Sequence, residues 1–162
     1  MSGDVVSTRR IEAHDRDWLV TALEEWGMRR LVSRERLTAD ASVFPGFVAE
    51  LDGERAGFAL LRRVGDELEV IALQSLEERR GVGTALLRAV EAEAQATGCR
   101  RAWLVTTNDN LDAIRFYQRR GWELVALHRD AVTRGRALKP ELAEIGAFGI
   151  ALRHELEFER VV

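Results

Sequence analysis

The sequence lacks most of what stapled, membrane-embedded or disordered chains are made from. Cys99 is the only cysteine in 162 residues, so no intrachain disulfide can form and a four-thiolate zinc site is excluded by counting. A reducing, cytoplasmic setting is the expectation that follows. There are two prolines and no long biased tract, which argues against collagen-like, mucin-like and disordered classes. No apolar run approaches the roughly 18 residues of a spanning helix. Met1 to Arg10 also lacks the basic-then-apolar order of an export signal, so neither membrane insertion nor export is expected. Lys and Arg number 24 against 27 Asp and Glu, a net charge of −3, the wrong balance for a protein that lives on nucleic-acid phosphates. His14, His128 and His154 fall at no metal-ligand spacing, and no metal is expected. His128, at a strand end, is a candidate second base.

What is present suits an enzyme of one domain spanning residues 1–162. The chain is 46% hydrophobic, and at this length it can bury roughly two-thirds of its unfolded surface without staples. Val5 to Ile11 reads as a strand. Trp18, Leu19, Ala22, Leu23 and Trp26 keep helical spacing from His14 to Trp26, and Gly27 stops that helix. Leu31 to Phe44 has turn and cap residues but no clean period, and reads as a loop with a short helix. Phe47 to Leu51, Arg55 to Arg63 and Glu67 to Gln74 form an antiparallel meander through Asp52-Gly53 and Gly65-Asp66 turns. Gly83 to Thr97 is an amphipathic helix that ends at Gly98. Arg101 to Thr107 is a strand covered on both faces, making a right-handed parallel unit with the strand before that helix. Asn108 to Asn110 offer N-caps for a helix from Leu111 to Arg120, and a strand from Trp122 to His128 follows. Asp130 to Gly146 is a long connection with one helical turn. In the last segment Leu152, His154, Leu156 and Phe158 alternate with Arg153, Glu155, Glu157 and Glu159, the pattern of a half-exposed closing strand.

Between the meander and the amphipathic helix runs Glu77-Glu78-Arg79-Arg80-Gly81-Val82-Gly83-Thr84. Its glycines let backbone approach a ligand, and the unpaired N–H groups of a first helical turn face outward as anion donors. A diphosphate fits such a cradle, and so does a plain tight turn that needs small residues. No lysine follows as a nucleoside triphosphate loop requires, and Leu86 stands where a dinucleotide fingerprint needs its third glycine.

A second segment, Asn110-Leu111-Asp112-Ala113-Ile114-Arg115-Phe116-Tyr117-Gln118-Arg119-Arg120-Gly121-Trp122, together with the first, resembles the GCN5-related N-acetyltransferases. That family shows (Gln or Arg)xxGxGxA and then NxxAxxFYxxxGF roughly thirty residues later. The resemblance covers Phe47 to His128, most specifically Glu67 to Trp122. The chain departs from the pattern at Glu78, where the family usually has Gln or Arg, and Arg79 or Arg80 is the candidate replacement for the positive charge.

The resemblance implies an α/β fold whose central sheet of about six or seven strands is mixed and mostly antiparallel. It would splay between two parallel strands, with about four helices around it. It also implies acetyl-CoA as the acyl donor, its pantetheine lying between the strands at Glu67–Gln74 and Arg101–Thr107. Glu78, Arg79, Arg80, Gly81, Val82, Gly83 and Thr84 would hold the diphosphate, with Leu73, Asn110, Ala113, Phe116 and Tyr117 as further coenzyme contacts. The main-chain N–H near Leu73 is the candidate oxyanion donor. Glu69 is the candidate base, directly or through water, because the family commonly places a glutamate on this strand. Tyr117, the only tyrosine, stands where the family carries its general acid. Each has a plainer alternative: solubilising acids at a strand edge for Glu67 and Glu69, and packing against Ile114 for Tyr117.

The acceptor is expected to be a small-molecule primary amine, met around Trp26 to Arg36 and Arg129 to Lys139, with Trp26, Arg129 and Arg134 as candidate contacts. Arg129, Arg134, Arg136 and Lys139 face a single Asp130 there, as a solvated loop or as a clamp for an anionic group on the acceptor. A homodimer is allowed, with Gly149 to Phe158 contributing. Two rival functions keep the same fold: a coenzyme A binding module without turnover, and a transferase of longer acyl groups. An acyl-cysteine route is disfavoured because Cys99 follows a helix-ending glycine and precedes a core strand.

Overall fold

Asp-Gly and Gly-Asp turns between β-rich runs commit the middle of the chain to hairpins, and the rest of the fold is arranged on them. The computed structural model describes residues 3–162. In chain order the elements are β1 (Val6–Arg10), α1 (Arg16–Glu25), β2 (Leu31–Ser33), β3 (Arg36–Thr38), β4 (Gly46–Leu51), β5 (Glu54–Val64), β6 (Glu67–Ser75), α2 (Val82–Ala96), β7 (Arg101–Thr107), α3 (Leu111–Arg119), β8 (Glu123–His128), α4 (Ala131–Gly135) and β9 (Glu155–Val161). This is the expected mixed, mostly antiparallel α/β chain with four helices. The residues gather into two compact units, one holding residues up to Arg29, 41–102 and Val162, the other 30–40 and 103–161.

In the first unit β1, β4, β5 and β6 are antiparallel neighbours in that order. Asp52 and Gly53 both take positive φ, at 52° and 86°, the two-residue turn that matches strand twist. Ala56 through Leu61 on β5 are all buried, which fits a strand covered on both faces. Phe58 meets Trp18 of α1 edge-on, with centroids 6.2 Å apart. Gly57, one residue earlier and so on the opposite face, lies under α2. A Cβ there would stand 2.7 Å from Gln74 O, 2.8 Å from Val82 Cγ1 and 3.2 Å from Leu86 Cδ1, so only glycine lets the opening turn of α2 sit this close to the strands. At the far end of β6, Arg100 N–H donates to Asp66 O at 2.7 Å, and Glu67 pairs with Arg100 and Arg101. Glu67 thus ties the starts of β6 and β7 together.

In the second unit the strand order is β7, β9, β8. Trp122 and Phe158 are 2% and 0% exposed and share a cluster with Tyr117. Two expectations are corrected here. Leu31 to Phe44 is a β2–β3 hairpin followed by a 3-10 turn at Ala41–Val43. Its two-residue turn is Arg34-Glu35, with φ of 53° and 61° and none of the Gly or Asn that would announce it. The closing strand is also not half-exposed: Glu155 and Glu157 are buried along with Phe158. β9 is an interior strand, and the hairpin covers its acidic face through Arg34.

Asp15 anchors the entry to α1. Its carboxylate is fully buried and accepts from Arg9 at 2.7 and 2.8 Å, from Arg55 at 2.9 Å and from the Glu12 main chain at 2.8 Å. The Arg9 side-chain bonds, reinforced by the Glu12 N–H and by Arg55, hold its carboxyl far below the ordinary range against the cost of burial. A depressed carboxyl stabilises the fold fully above the unfolded value near 4, and that stability is lost as pH falls through the lower folded value. Asp15→Asn is expected to cost on the order of 3 kcal/mol at neutral pH in urea unfolding. The variant should also lose less stability than wild type between about pH 5 and pH 2; equal acid slopes would remove Asp15 as their source.

Candidate functional site

The turn before α2 has the conformation that the glycines suggested. Arg79 and Gly81 are left-handed at φ 59° and 82°, and a Cβ on Gly81 would meet nothing within 4 Å. Space above the turn is therefore not taken by protein. Ala85 N–H is the first of the helix to bond back, to Gly81 O at 3.0 Å, so the N–H groups of Val82, Gly83 and Thr84 open the helix ahead of its ladder. Glu77 through Gly81 are exposed, while Val82 is buried on the strands. Arg80 pairs through its guanidinium with both carboxylate oxygens of Asp4. The side-chain bond to Asp4 raises the guanidinium's proton affinity. An anion arriving at this turn would compete with Asp4 for Arg80.

On β6 the pairing with β5 steps at Leu60/Leu61 and leaves Ile71 without a partner. Such a bulge turns main-chain groups out of the ladder, two residues before Leu73. Glu69 lies before the bulge, opposite Arg62. It is 2% exposed, and its Oε2 accepts from Arg62 Nε at 3.0 Å and Nη2 at 2.9 Å. Arg62 in turn lies over the Phe44 ring at 5.6 Å.

In the second unit Asn110 caps α3, its side chain accepting from Ala113 N–H at 3.2 Å and donating to Thr106 Oγ1 at 3.2 Å. Phe116 packs edge-on against Tyr117 at 5.2 Å, with Arg120 over its other face at 3.8 Å. The Tyr117 ring is also 6.0 Å from Trp122 and 5.7 Å from Phe158, and burial pushes its phenol well above the ordinary value. Its hydroxyl makes no hydrogen bond to any described residue and is not a sealed, unpaired atom, so it opens toward the surface.

The candidate acceptor residues are less concentrated. Trp26 is exposed where α1 ends, and Arg129 is exposed after β8. Arg134 pairs with Glu35 at 2.6 Å. Arg136 donates to the carbonyls of Leu142, Ala143 and Leu152, and Lys139 to that of Arg30. Asp130 is paired with Arg153. Three of the four cations that suggested a clamp are thus engaged, Arg136 within its own loop and Arg134 and Lys139 with the segment around residues 30–35. Cys99 is buried beside Thr97 Oγ1, a packing position. A concavity of about 480 Å³ lies elsewhere, among Arg9, Trp18, Glu50 and Arg55, and its arginines are committed to Asp15 and Glu50. Among the described residues there is no group of three His, Cys, Asp or Glu placed to hold a metal, and no helix is long and apolar enough to cross a membrane.

The sequence model of the acetyltransferase (GNAT) family matches residues 10–122. The chain belongs to that family. It is 43% identical over 118 residues to the uncharacterized protein YdhI of Bacillus subtilis, covering 72% of this chain and 74% of YdhI. Solved GNAT folds superpose along nearly the whole length. The IAA acetyltransferase from Bacillus cereus matches with TM-score 0.69 at 19% identity, covering 98% of this chain and 100% of that one. A Bacillus subtilis acetyltransferase solved in complex with CoA matches with TM-score 0.67 at 16% identity, covering 98% and 99%. At those identities the likeness establishes the GNAT fold and nothing finer.

Gly57, the Ile71 bulge, and the Arg34, Glu155 and Glu157 group were not singled out from sequence. Glycine inside a strand pattern was the one signal that could have flagged Gly57. If Arg80 reaches coenzyme phosphates, Arg80→Ala weakens coenzyme A binding several-fold by calorimetry, while Asp4→Asn, which frees the guanidinium, tightens it. Unchanged affinity in both variants would take Arg80 out of the phosphate contacts.

Proposed function

We propose that this GNAT chain transfers the acetyl group of acetyl-CoA to the primary amine of a small molecule, by direct attack in a ternary complex. The observation that carries the reading is Tyr117, a ring fixed by three aromatic neighbours whose hydroxyl has no partner among the described residues. A purely structural ring at this place would not need the hydroxyl. The residues also fit coenzyme A: the left-handed turn at Arg79 and Gly81 has open space above it, and it leads into a helix whose first N–H groups are anion donors.

When bound, acetyl-CoA supplies an activated acyl carbon and a thiol leaving group. The turn from Glu78 to Thr84 would hold the diphosphate, and Asn110, Ala113 and Phe116 of α3 are the proposed further coenzyme contacts. The strand around Leu73, just past the bulge, offers the main-chain N–H for the oxyanion. Tyr117 keeps its proton at working pH because burial disfavours the phenolate. It serves by donating a hydrogen bond to the departing sulfur, whose thiolate is a weaker base than a buried phenolate. Trp26 and Arg129 are the proposed contacts on the acceptor side, joined by Arg134 where an anionic acceptor displaces Glu35, and a reducing, cytoplasmic setting suits the single buried thiol.

The test is release of free thiol from acetyl-CoA across a panel of amino acids, amino sugars and polyamines, with product mass as the second readout. One amine class should give saturable release with matching acetylated product. Coenzyme binding without turnover on any amine would favour the binding module, and preference for succinyl or longer thioesters would favour the wider acyltransferase. With the best amine, Tyr117→Phe should lower turnover at least tenfold while coenzyme affinity and melting temperature hold. Near-normal turnover would return Tyr117 to packing.

A further inference from the structure

Two carboxylates on β9 are buried where strand alternation would put them in water. Glu155 and Glu157 are 4% and 6% exposed, and acids are almost never buried unless paired. Their partners come from segments far apart in sequence. Arg34 N–H donates to Glu155 Oε1 at 2.9 Å, and the Arg34 guanidinium donates to Glu157 Oε1 at 2.9 Å. His128 Nε2 lies 2.9 Å from that same oxygen. Burial pushes the Glu155 carboxyl above the ordinary range, an effect that Arg34 and His128 partly offset.

The turn that delivers Arg34 is strained. Arg34 and Glu35 hold φ of 53° and 61°, a conformation that persists where surroundings over-determine it and that clusters at functional sites. Here β9 fixes Arg34, and Arg134 of α4 fixes Glu35 at 2.6 Å. The hairpin is thus held in an unfavourable backbone so that it can reach these acids.

Solvent reaches His128 and Arg34 of the group, with 21% and 41% of their side chains exposed, and of the two only the imidazole can take up a proton. Glu157 takes Nε2, so the neutral ring carries its proton there and presents a lone pair at Nδ1 that no described residue engages. We propose that His128, oriented by Glu157, is the base that takes the proton from the acceptor's ammonium group. This rests on the transferase reading above. Glu69 is more enclosed, 2% exposed and with its Oε2 held by two N–H groups of Arg62.

His128 Nδ1 accepts a proton from the ammonium group, and the freed nitrogen pair forms the C–N bond at the thioester carbon. The C–S bond then breaks with its electron pair on sulfur. Of the two protons that nitrogen sheds, one passes through His128 to solvent and the other ends on sulfur, leaving an amide, coenzyme A thiol and one released proton. Glu157 stabilises the imidazolium formed on the way. His128 touches Glu157 and lies opposite Glu155 in the ladder, shares Glu157 Oε1 with Arg34, and is followed in the chain by Arg129 and by Asp130, which pairs with Arg153.

His128→Gln keeps an N–H for Glu157 and removes the base. With the best amine of the panel it should lower kcat/KM about 100-fold and abolish the acid limb of the pH profile, with coenzyme A affinity unchanged. Glu157→Gln should lower kcat/KM about tenfold and shift that limb. Independently of any acceptor, ring-nitrogen NMR should show His128 as the Nε2–H tautomer in wild type and a mixture in Glu157→Gln. His14 and His154 signals are separated by comparison with His128→Gln. Wild-type turnover retained in His128→Gln within twofold, with the same pH profile, would overturn the inference alone, as would an Nδ1–H tautomer. Acetyl-CoA binding with no amine turned over by wild type would overturn the transferase reading, and the inference with it.

Discussion

The first unit depends on one missing side chain. Because residue 57 has no Cβ, Val82 and Leu86 can lie directly on β5, and the start of α2 is set by that contact and not by its own turn alone. Helix ends are otherwise the loosest part of a helix. Here the opening turn is pressed against the buried stretch from Ala56 to Leu61 of β5, while the residues just before it stay exposed. A donor array built this way is fixed in direction without itself being covered, which is what recognition of a diphosphate by main-chain N–H groups needs.

The second unit solves a different problem. β9 brings two acids into the interior, and the remedy is a hairpin from early in the chain that supplies one N–H and one guanidinium. Removing the acids for apolar residues would be neutral or stabilising by general experience with buried ion pairs, so their presence argues for a use beyond stability. The aromatic cluster around Tyr117 has the opposite character. It is built from aromatic rings, with the Arg120 guanidinium over Phe116 and the Tyr117 hydroxyl among its few polar groups.

Local patterns made much of this visible in the sequence. The glycine corner, the Asn110 cap and the meander turns are each written within a few consecutive residues, and the structure places them within one or two positions of expectation. What stayed hidden depends on register or on distant partners. Alternation along β9 distinguishes polar from apolar faces, yet it carries no sign that residues 34 and 35 will cover the polar one. The Arg34-Glu35 turn was invisible because its backbone is imposed by bonds to β9 and α4 and not by turn-forming residues. The pairing of Glu69 with Arg62 follows from the β5–β6 register near a bulge, which no single-strand pattern encodes. The loop cations Arg134, Arg136 and Lys139 looked available because sequence shows charge and not the carbonyls and carboxylate that occupy it.

The left-handed backbone at Arg34 and Glu35 makes the hairpin tip behave as a loaded latch. Each such residue stores on the order of 1 kcal/mol or more, released when the tip lets go, so unlatching recovers part of what the broken bonds cost. The bonds from β9 and α4 to the tip therefore contribute less net stability than their number suggests, because part of it offsets the backbone they impose.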